Sequence, residues 1–289
     1  MREMATTVTP PTSNDPLVEL AREVFLTNAG RALVKRVANL LNPRGIPIMP
    51  LKGVLLQKLV YAAGPFRSIA DVDLLVPERR FFEAVALLEA AGFSRASWER
   101  GAWQVTLSNP SGPPLGIDLH RRLTRTVRSR LTAEGMFARG REDTELFDCP
   151  IVVPCAEDIF AHLVLHASLH WLRVAKLHRP QDFQNVAEAL HLDAGHTAAH
   201  LRSQGLIAHG GLILPMIRAV TPAPFIDEVL AHLAPSPRER AAAWIARFLA
   251  ARSAAGRPGR RIAGLALAPS LSAAALAAAR DRLASDRHG

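Results

Sequence analysis

Apolar residues recur at helical spacing from Leu17 through Leu20, Ala21, Val24, Leu33 and Val37 to Leu40, which predicts a helix over 16–41. Asp15 stands at the N-cap position, Pro16 opens the helix, and Gly30 is the expected interruption. The short run 46–49 reads as a strand. Helical period resumes from Leu51 to Tyr61 and is broken by Gly64-Pro65. Residues 70–76 form an apolar run of strand type ended by Pro77, and 77–91 read as a helix ended by Gly92. Two further strands are expected over 103–107 and 115–120, around a Ser-Gly-Pro-Pro turn at 111–114. Residues 124–142 are Arg-rich and poorly patterned, a helix and loop for the rim of a cleft, and 151–153 read as a last strand. Beyond Cys155 only helical periods occur, over 156–172, 181–192, 196–204, 223–233, 237–251 and 270–284. The expected fold class is therefore α+β. A mixed-sheet domain over 16–154 is followed by a helical domain over 155–289, behind a Thr- and Pro-rich segment 1–15 that is expected to be disordered and lacks the apolar core of a secretion signal.

With 49% hydrophobic and 21% charged residues the chain is of globular type. The balance of 35 Lys and Arg against 26 Asp and Glu gives a formal charge of +9, spread along the chain with no basic run interleaved with aromatics. A nucleotide or other anionic small substrate accounts for this more simply than a nucleic acid does. Cys149 and Cys155 are the two cysteines, too few for a disulfide framework, which fits a reducing cytoplasm. Residues 262–279 carry no charged side chain, but Pro269 and the excess of Ala over Leu make them a poor span of hydrocarbon, so no membrane is expected.

The chemistry concentrates in Pro50–Val76, PLKGVLLQKLVYAAGPFRSIADVDLLV. Strand alternation sends Asp71 and Asp73 to one face, roughly 7 Å apart at the backbone, where two unit charges repel by about 2 kcal/mol at an effective dielectric near 20. A divalent cation would turn that conflict into a pair of hard oxygen ligands. An isolated D-x-D is ordinarily two solvated acids at a strand end; Lys52, Gly53 and Arg67 nearby argue for more. In Gly116-Ile117-Asp118-Leu119-His120 the same alternation puts Asp118 and His120 together.

The order L-K-G-x-x-L, Tyr61, Arg67, D-V-D-L-L-V, then G-I-D-L-H resembles the polymerase-β-like nucleotidyltransferase superfamily. The nearer resemblance is to a poorly characterised bacterial branch with Lys-Gly where better-known members have Gly-Ser. The match spans residues 46–120, with a looser continuation to the helix near His166. It implies transfer of a nucleoside monophosphate from an NTP, ATP by default, to an unknown acceptor, with release of pyrophosphate. It also implies two Mg²⁺ ions, with Mn²⁺ as a substitute, on Asp71, Asp73 and Asp118 as catalytic and metal-binding residues, and a small mixed sheet with helices. Lys52, Gly53 and Arg67 are the expected nucleotide-binding residues. For Lys52 the alternative is a solvated lysine, and for Arg67 a salt bridge to Asp71. His120, His166, His170 and Asp182 are expected to line the acceptor or nucleotide cleft, against a structural role for the histidines or, for the i,i+4 pair His166 and His170, a transition metal. A small molecule, a protein or an RNA could be the acceptor. The competing function is that of a catalytically idle nucleotide-binding partner in a two-protein system.

Overall fold

The structure, a computed structural model, describes residues 16–62, 67–97, 103–108, 115–124, 129–174, 177, 179–252 and 267. Its centre is a five-stranded mixed sheet of β1 (Met49–Pro50), β2 (Asp71–Leu75), β3 (Ser94–Ser97), β4 (Gln104–Ser108) and β5 (Gly116–His120), in the order β1-β2-β5-β4-β3. The β2–β5 pair is parallel and the other pairs are antiparallel. Register sets Asp71 beside Gly116, Asp73 beside Asp118 and Leu75 beside His120, while β4 sets Thr106 against Asp118 and Gln104 against His120. Alternation then places Val72, Leu74, Val105, Leu107, Ile117 and Leu119 on the opposite face, all of them buried.

Helix α1 (Pro16–Leu41) crosses behind this sheet, unbroken at Gly30. A side chain at Gly30 would meet Val54, Ile69 and Val72 at 3.5–3.7 Å, so the glycine marks a crossing point rather than a break. Helix α2 (Lys52–Leu59) follows β1, and α3 (Phe81–Ala90) follows a 3₁₀ turn over Glu78–Arg80. The strand expected over 46–49 forms its ladder only at Met49 and Pro50, where antiparallel pairing with Leu75 and Leu74 begins. Ile46 and Ile48 instead enter as fully buried chain leading to it. Within the Arg-rich segment lies α4 (Ala133–Arg139), capped by Thr132 accepting from the Gly135 amide at 3.1 Å, and then β6 (Arg141–Asp143), which pairs with β7 (Ile151–Val153). The Val152 amide donates to the Ile48 carbonyl at 2.9 Å and ties this hairpin to the main sheet.

Among the described residues every strand precedes residue 154. Then come α5 (Ala156–Val174), α6 (Asp182–Ala189), α7 (Ala194–Ser203), α8 (Ile207–Arg218), α9 (Pro224–Leu233) and α10 (Pro237–Arg252). Helix α8 has no counterpart in the apolar pattern, because Gly210-Gly211 and Pro215 read locally as breakers. Tertiary packing overrides them: Ile207, Leu212, Ile213, Leu214 and Ile217 are buried, and a side chain at Gly210 would come within 3.3 Å of Leu233 on α9. The expected 270–284 helix and the 1–15 segment lie outside the described residues, as does 262–279 apart from Leu267. No helix among the described residues is long and apolar enough to cross a membrane.

Asp158, in the first turn of α5 and with no exposed surface, joins the two parts of the chain. It accepts from Arg139 of α4 through two bonds of 2.9 Å and from His200 Nε2 of α7 at 2.8 Å. Burial opposes its ionisation, but the His200 and Arg139 hydrogen bonds outweigh it and hold the carboxyl below its ordinary range. Asp158→Ala leaves Arg139 and His200 without their common acceptor and is expected to destabilise the fold by about 3 kcal/mol, since Arg139 keeps some solvent. The folded carboxyl titrates below the unfolded one, so this contribution is present above about pH 4 and fades as pH falls further. Denaturant unfolding at pH 7 and in acid checks both statements, the variant losing less than the wild type on acidification.

Candidate active site

Asp73 is the buried centre of the polar sheet face, 3% exposed. Its Oδ1 receives the Lys52 ammonium at 2.8 Å and His120 Nε2 at 2.9 Å. Burial opposes the charge, yet the His120 hydrogen bond and then the Lys52 charge hold the Asp73 carboxyl well below the usual range, so it is ionised at neutral pH. On the neighbouring strand Asp118 accepts from Thr106 Oγ1 at 2.6 Å and from Gln104 Nε2 at 3.3 Å, which fixes both of its oxygens. Asp71 lies one step along the same face and is open to solvent. Its carboxyl is raised, first by desolvation against the protein and then by repulsion from Asp73 and Asp118.

Single ligand atoms of Asp73, Asp118 and His120 lie within 4.8 Å of one another. The cluster has two hard oxygen donors and one imidazole, whose ring lies 5.3 Å from that of Trp103 at an interplanar angle of 47°. Its Nδ1 is buried with no hydrogen-bond partner among the described residues. These donors fit a divalent cation.

Lys52 is neither solvated nor an ordinary helix residue. It opens α2 with a left-handed backbone, φ 47°, where glycine would be unstrained. The Leu51 amide donates to the Asp73 carbonyl at 3.0 Å, so the same short segment is fastened to β2 by main chain and by side chain.

The sequence left Arg67 between a phosphate clamp and a partner for Asp71; the structure gives it another place. Its Nε and Nη2 donate to Asp182 Oδ2 at 3.0 and 2.9 Å, and its amide donates to Gln57 Oε1 at 2.6 Å. Arg67 and Asp182 are both buried, so Asp182 is the foundation of this loop rather than a cleft wall. Tyr61 OH donates to Asp182 Oδ1 at 2.5 Å, and burial followed by that bond pushes the phenol up to about 12. A side chain at Gly53 would stand 2.7 Å from Arg67 Nη1, so the glycine is needed for the guanidinium to pass.

On α5 the expected pair His166 and His170 extends to a row, with ring centroids 6.3 Å apart from His162 to His166 and 6.0 Å apart from His166 to His170. His162 went unread, although it lies one helical step before His166; extending the four-residue spacing would have found it. It lines a cavity of about 10 Å³ with Lys52, Leu55, Met136 and Pro154. Burial, reinforced by the Lys52 charge, pushes His162 down to about 3 and His166 well below its usual value, so both are neutral at pH 7. Thr106 and Gln104 were also unread, because nothing local marks which β4 residues oppose Asp118.

The family model described as "Uncharacterised nucleotidyltransferase" matches residues 10–221. The chain belongs to this family, and it is a nucleotidyltransferase. No curated protein matches it. Solved structures similar to this nucleotidyltransferase include antibiotic-resistance factor ANT(2'')-Ia in solution, 14% identical over 61% of this chain and 91% of that one, with a TM-score of 0.45. The crystal structure of ANT(2'')-Ia in complex with adenylyl-2''-tobramycin is 14% identical over 60% and 95%, with a TM-score of 0.41. A tRNA-processing enzyme in an apo form is 12% identical over 90% and 72%, with a TM-score of 0.28.

Two measurements check this arrangement. Gly53→Ala drives a methyl group into a guanidinium pinned by Asp182 and is expected to lower stability by about 1–3 kcal/mol, read from denaturant midpoints. For His162 the folded pKa lies below the unfolded value, so the unfolded chain binds the extra proton and stability falls as pH drops from about 6.5 toward 3. His162→Leu removes that dependence. Between pH 6.5 and 5 the wild type is expected to lose about 2 kcal/mol more than the variant.

Proposed function

We propose that this nucleotidyltransferase moves a nucleoside monophosphate from an NTP, with ATP as the default donor, to an acceptor hydroxyl or phosphate, releasing pyrophosphate. The observation that carries the reading is the side-by-side register of Asp73 and Asp118 on parallel strands, with Asp71 next along the same face. Asp71, Asp73 and Asp118 would hold two Mg²⁺, or Mn²⁺ in their place. Mg²⁺ bound there supplies charge neutralisation at the attacking and leaving oxygens.

The protein's own groups do the rest. Thr106 and Gln104 hold Asp118 in one orientation, so that its carboxylate takes the acceptor's proton without first reorganising. Lys52 offers its ammonium, and the start of α2 its free amides, to the triphosphate. Arg67 and Asp182 act beneath, by fixing the loop that carries β2 into place. His162 and His166 form a neutral wall on the α5 side, with His170 next in the row, and there we place the acceptor; imidazoles that do not charge at pH 7 hydrogen-bond an acceptor without repelling a cation. The two free cysteines suit a reducing cytoplasm.

Asp73→Asn keeps the shape of the buried group and removes its charge. Pyrophosphate release is expected to fall by at least about 100-fold, the scale of losing one charged contact to a transition state. Circular dichroism should show a folded protein. Before an acceptor is known, thermal shift with each of the four NTPs tests the donor. A true donor with Mg²⁺ at about 100 times its Kd stabilises the wild type by about 2.7 kcal/mol. No shift with any NTP would sink the proposal.

A further inference from the structure

We infer that Lys52 is an internal counter-ion for Asp73 that a divalent cation must displace, so that the cation and the nucleotide bind interdependently. The inference rests on the nucleotidyl-transfer reading above and adds to it what the lysine does before any triphosphate arrives.

The Lys52 ammonium sits on Asp73 Oδ1 at 2.8 Å, in the cluster where ligand atoms of Asp73, Asp118 and His120 come within 4.8 Å of one another. A divalent ion on that oxygen would stand no more than about 5 Å from the ammonium, given a metal–oxygen distance of about 2.1 Å. Two cations cannot share one carboxylate oxygen at that spacing without strong repulsion, and one of them leaves.

The surroundings decide which groups stay. His120 is buried and packed by Trp103, and Arg67 is held on Asp182 by two hydrogen bonds. The Lys52 side chain keeps 19% of its surface open to solvent and has a flexible four-carbon stem, so it can withdraw. Its backbone does not need to move. The φ of 47° at Lys52 persists because Leu51 is hydrogen-bonded to Asp73 behind it and α2 runs ahead of it. A glycine would meet that conformation without strain, so the position retains lysine for its ammonium. Once released, the ammonium lies at the start of α2 beside the free amides, where a polyphosphate would receive it. Any group that takes Lys52 away from Asp73 raises the site's affinity for the cation, and by linkage the cation raises the affinity for that group by the same factor.

The test uses the full chain and Mn²⁺ as the probe, with free Mn²⁺ read by electron paramagnetic resonance. Wild type, Lys52→Met and the charge-retaining Lys52→Arg are compared without nucleotide, and then with α,β-methylene-ATP after correction for the metal that the analogue holds by itself. Lys52→Met is expected to bind Mn²⁺ alone at least tenfold more tightly than the wild type and to lose most of the tightening that the analogue produces. Lys52→Arg is expected to follow the wild type. Lys52→Gln, which can still hydrogen-bond Asp73, repeats the comparison if the Met variant does not fold. Equal or weaker Mn²⁺ binding by the folded neutral variant overturns the counter-ion role and leaves the transfer reading intact. Failure of every protein to bind Mn²⁺, even with the analogue, overturns both.

Discussion

Burying the Asp73 carboxylate is the constraint around which the sheet face is arranged. Asp73 and Asp118 are in register on adjacent strands, which lie about 5 Å apart, and at an effective dielectric near 20 their charges repel by about 3 kcal/mol. Desolvation adds to that opposition. Lys52 and His120 offset it from two directions on a single oxygen, one from the start of α2 and the other from β5. Asp118 is steadied by neutral donors on β4 instead, and Asp71, at the exposed start of β2, has its ionisation opposed by desolvation and by both neighbouring acids. The three carboxylates thus occupy different environments despite sharing a face. That difference sets them apart from a row of equivalent surface acids.

A second ion pair, beneath the first, carries the loop between α2 and β2. Arg67 and Asp182 are both buried and joined by two hydrogen bonds that converge on Asp182 Oδ2, with Tyr61 on Oδ1 and Asn185 completing the network. Buried pairs of this kind contribute little net stability compared with an apolar replacement, but removing one partner is costly. Their value here is positional. The pair anchors α6 of the helical region against the segment between α2 and β2, and Asp158 does the same between α4, α5 and α7. Two acids from the helix-rich part of the chain therefore fix the elements that present Lys52 and Asp73. His162, held neutral chiefly by its burial, meets Lys52 across a small cavity as a consequence of the same docking.

Local pattern was sufficient wherever the governing physics is local. Alternation along β2 and β5 placed Asp71 with Asp73 and Asp118 with His120, and helical periodicity found α1, α3, α5, α6, α7, α9 and α10 within a few residues. The turn around Lys52-Gly53, the α+β class and membership among nucleotidyltransferases were legible in the same way, from ordered motifs at fixed spacing. Helix α8 was not, because its glycines and proline oppose a helix locally and only burial between its neighbours reverses the balance.

The partners of the charged groups depended on tertiary structure. Nothing near Arg67 in sequence announces Asp182, 115 residues away, and nothing near Asp73 announces that Lys52 and His120 share its oxygen. Gly53 reads in sequence as a phosphate turn, yet its lack of a side chain is required by an arginine that arrives from another loop. Sequence determined which faces carry charge, since side-chain direction follows from backbone period within one element. Tertiary structure alone decided which charge meets which, because an ion pair forms where register and helix docking bring two distant segments within about 3 Å, and that distance is set by the packing of the whole fold.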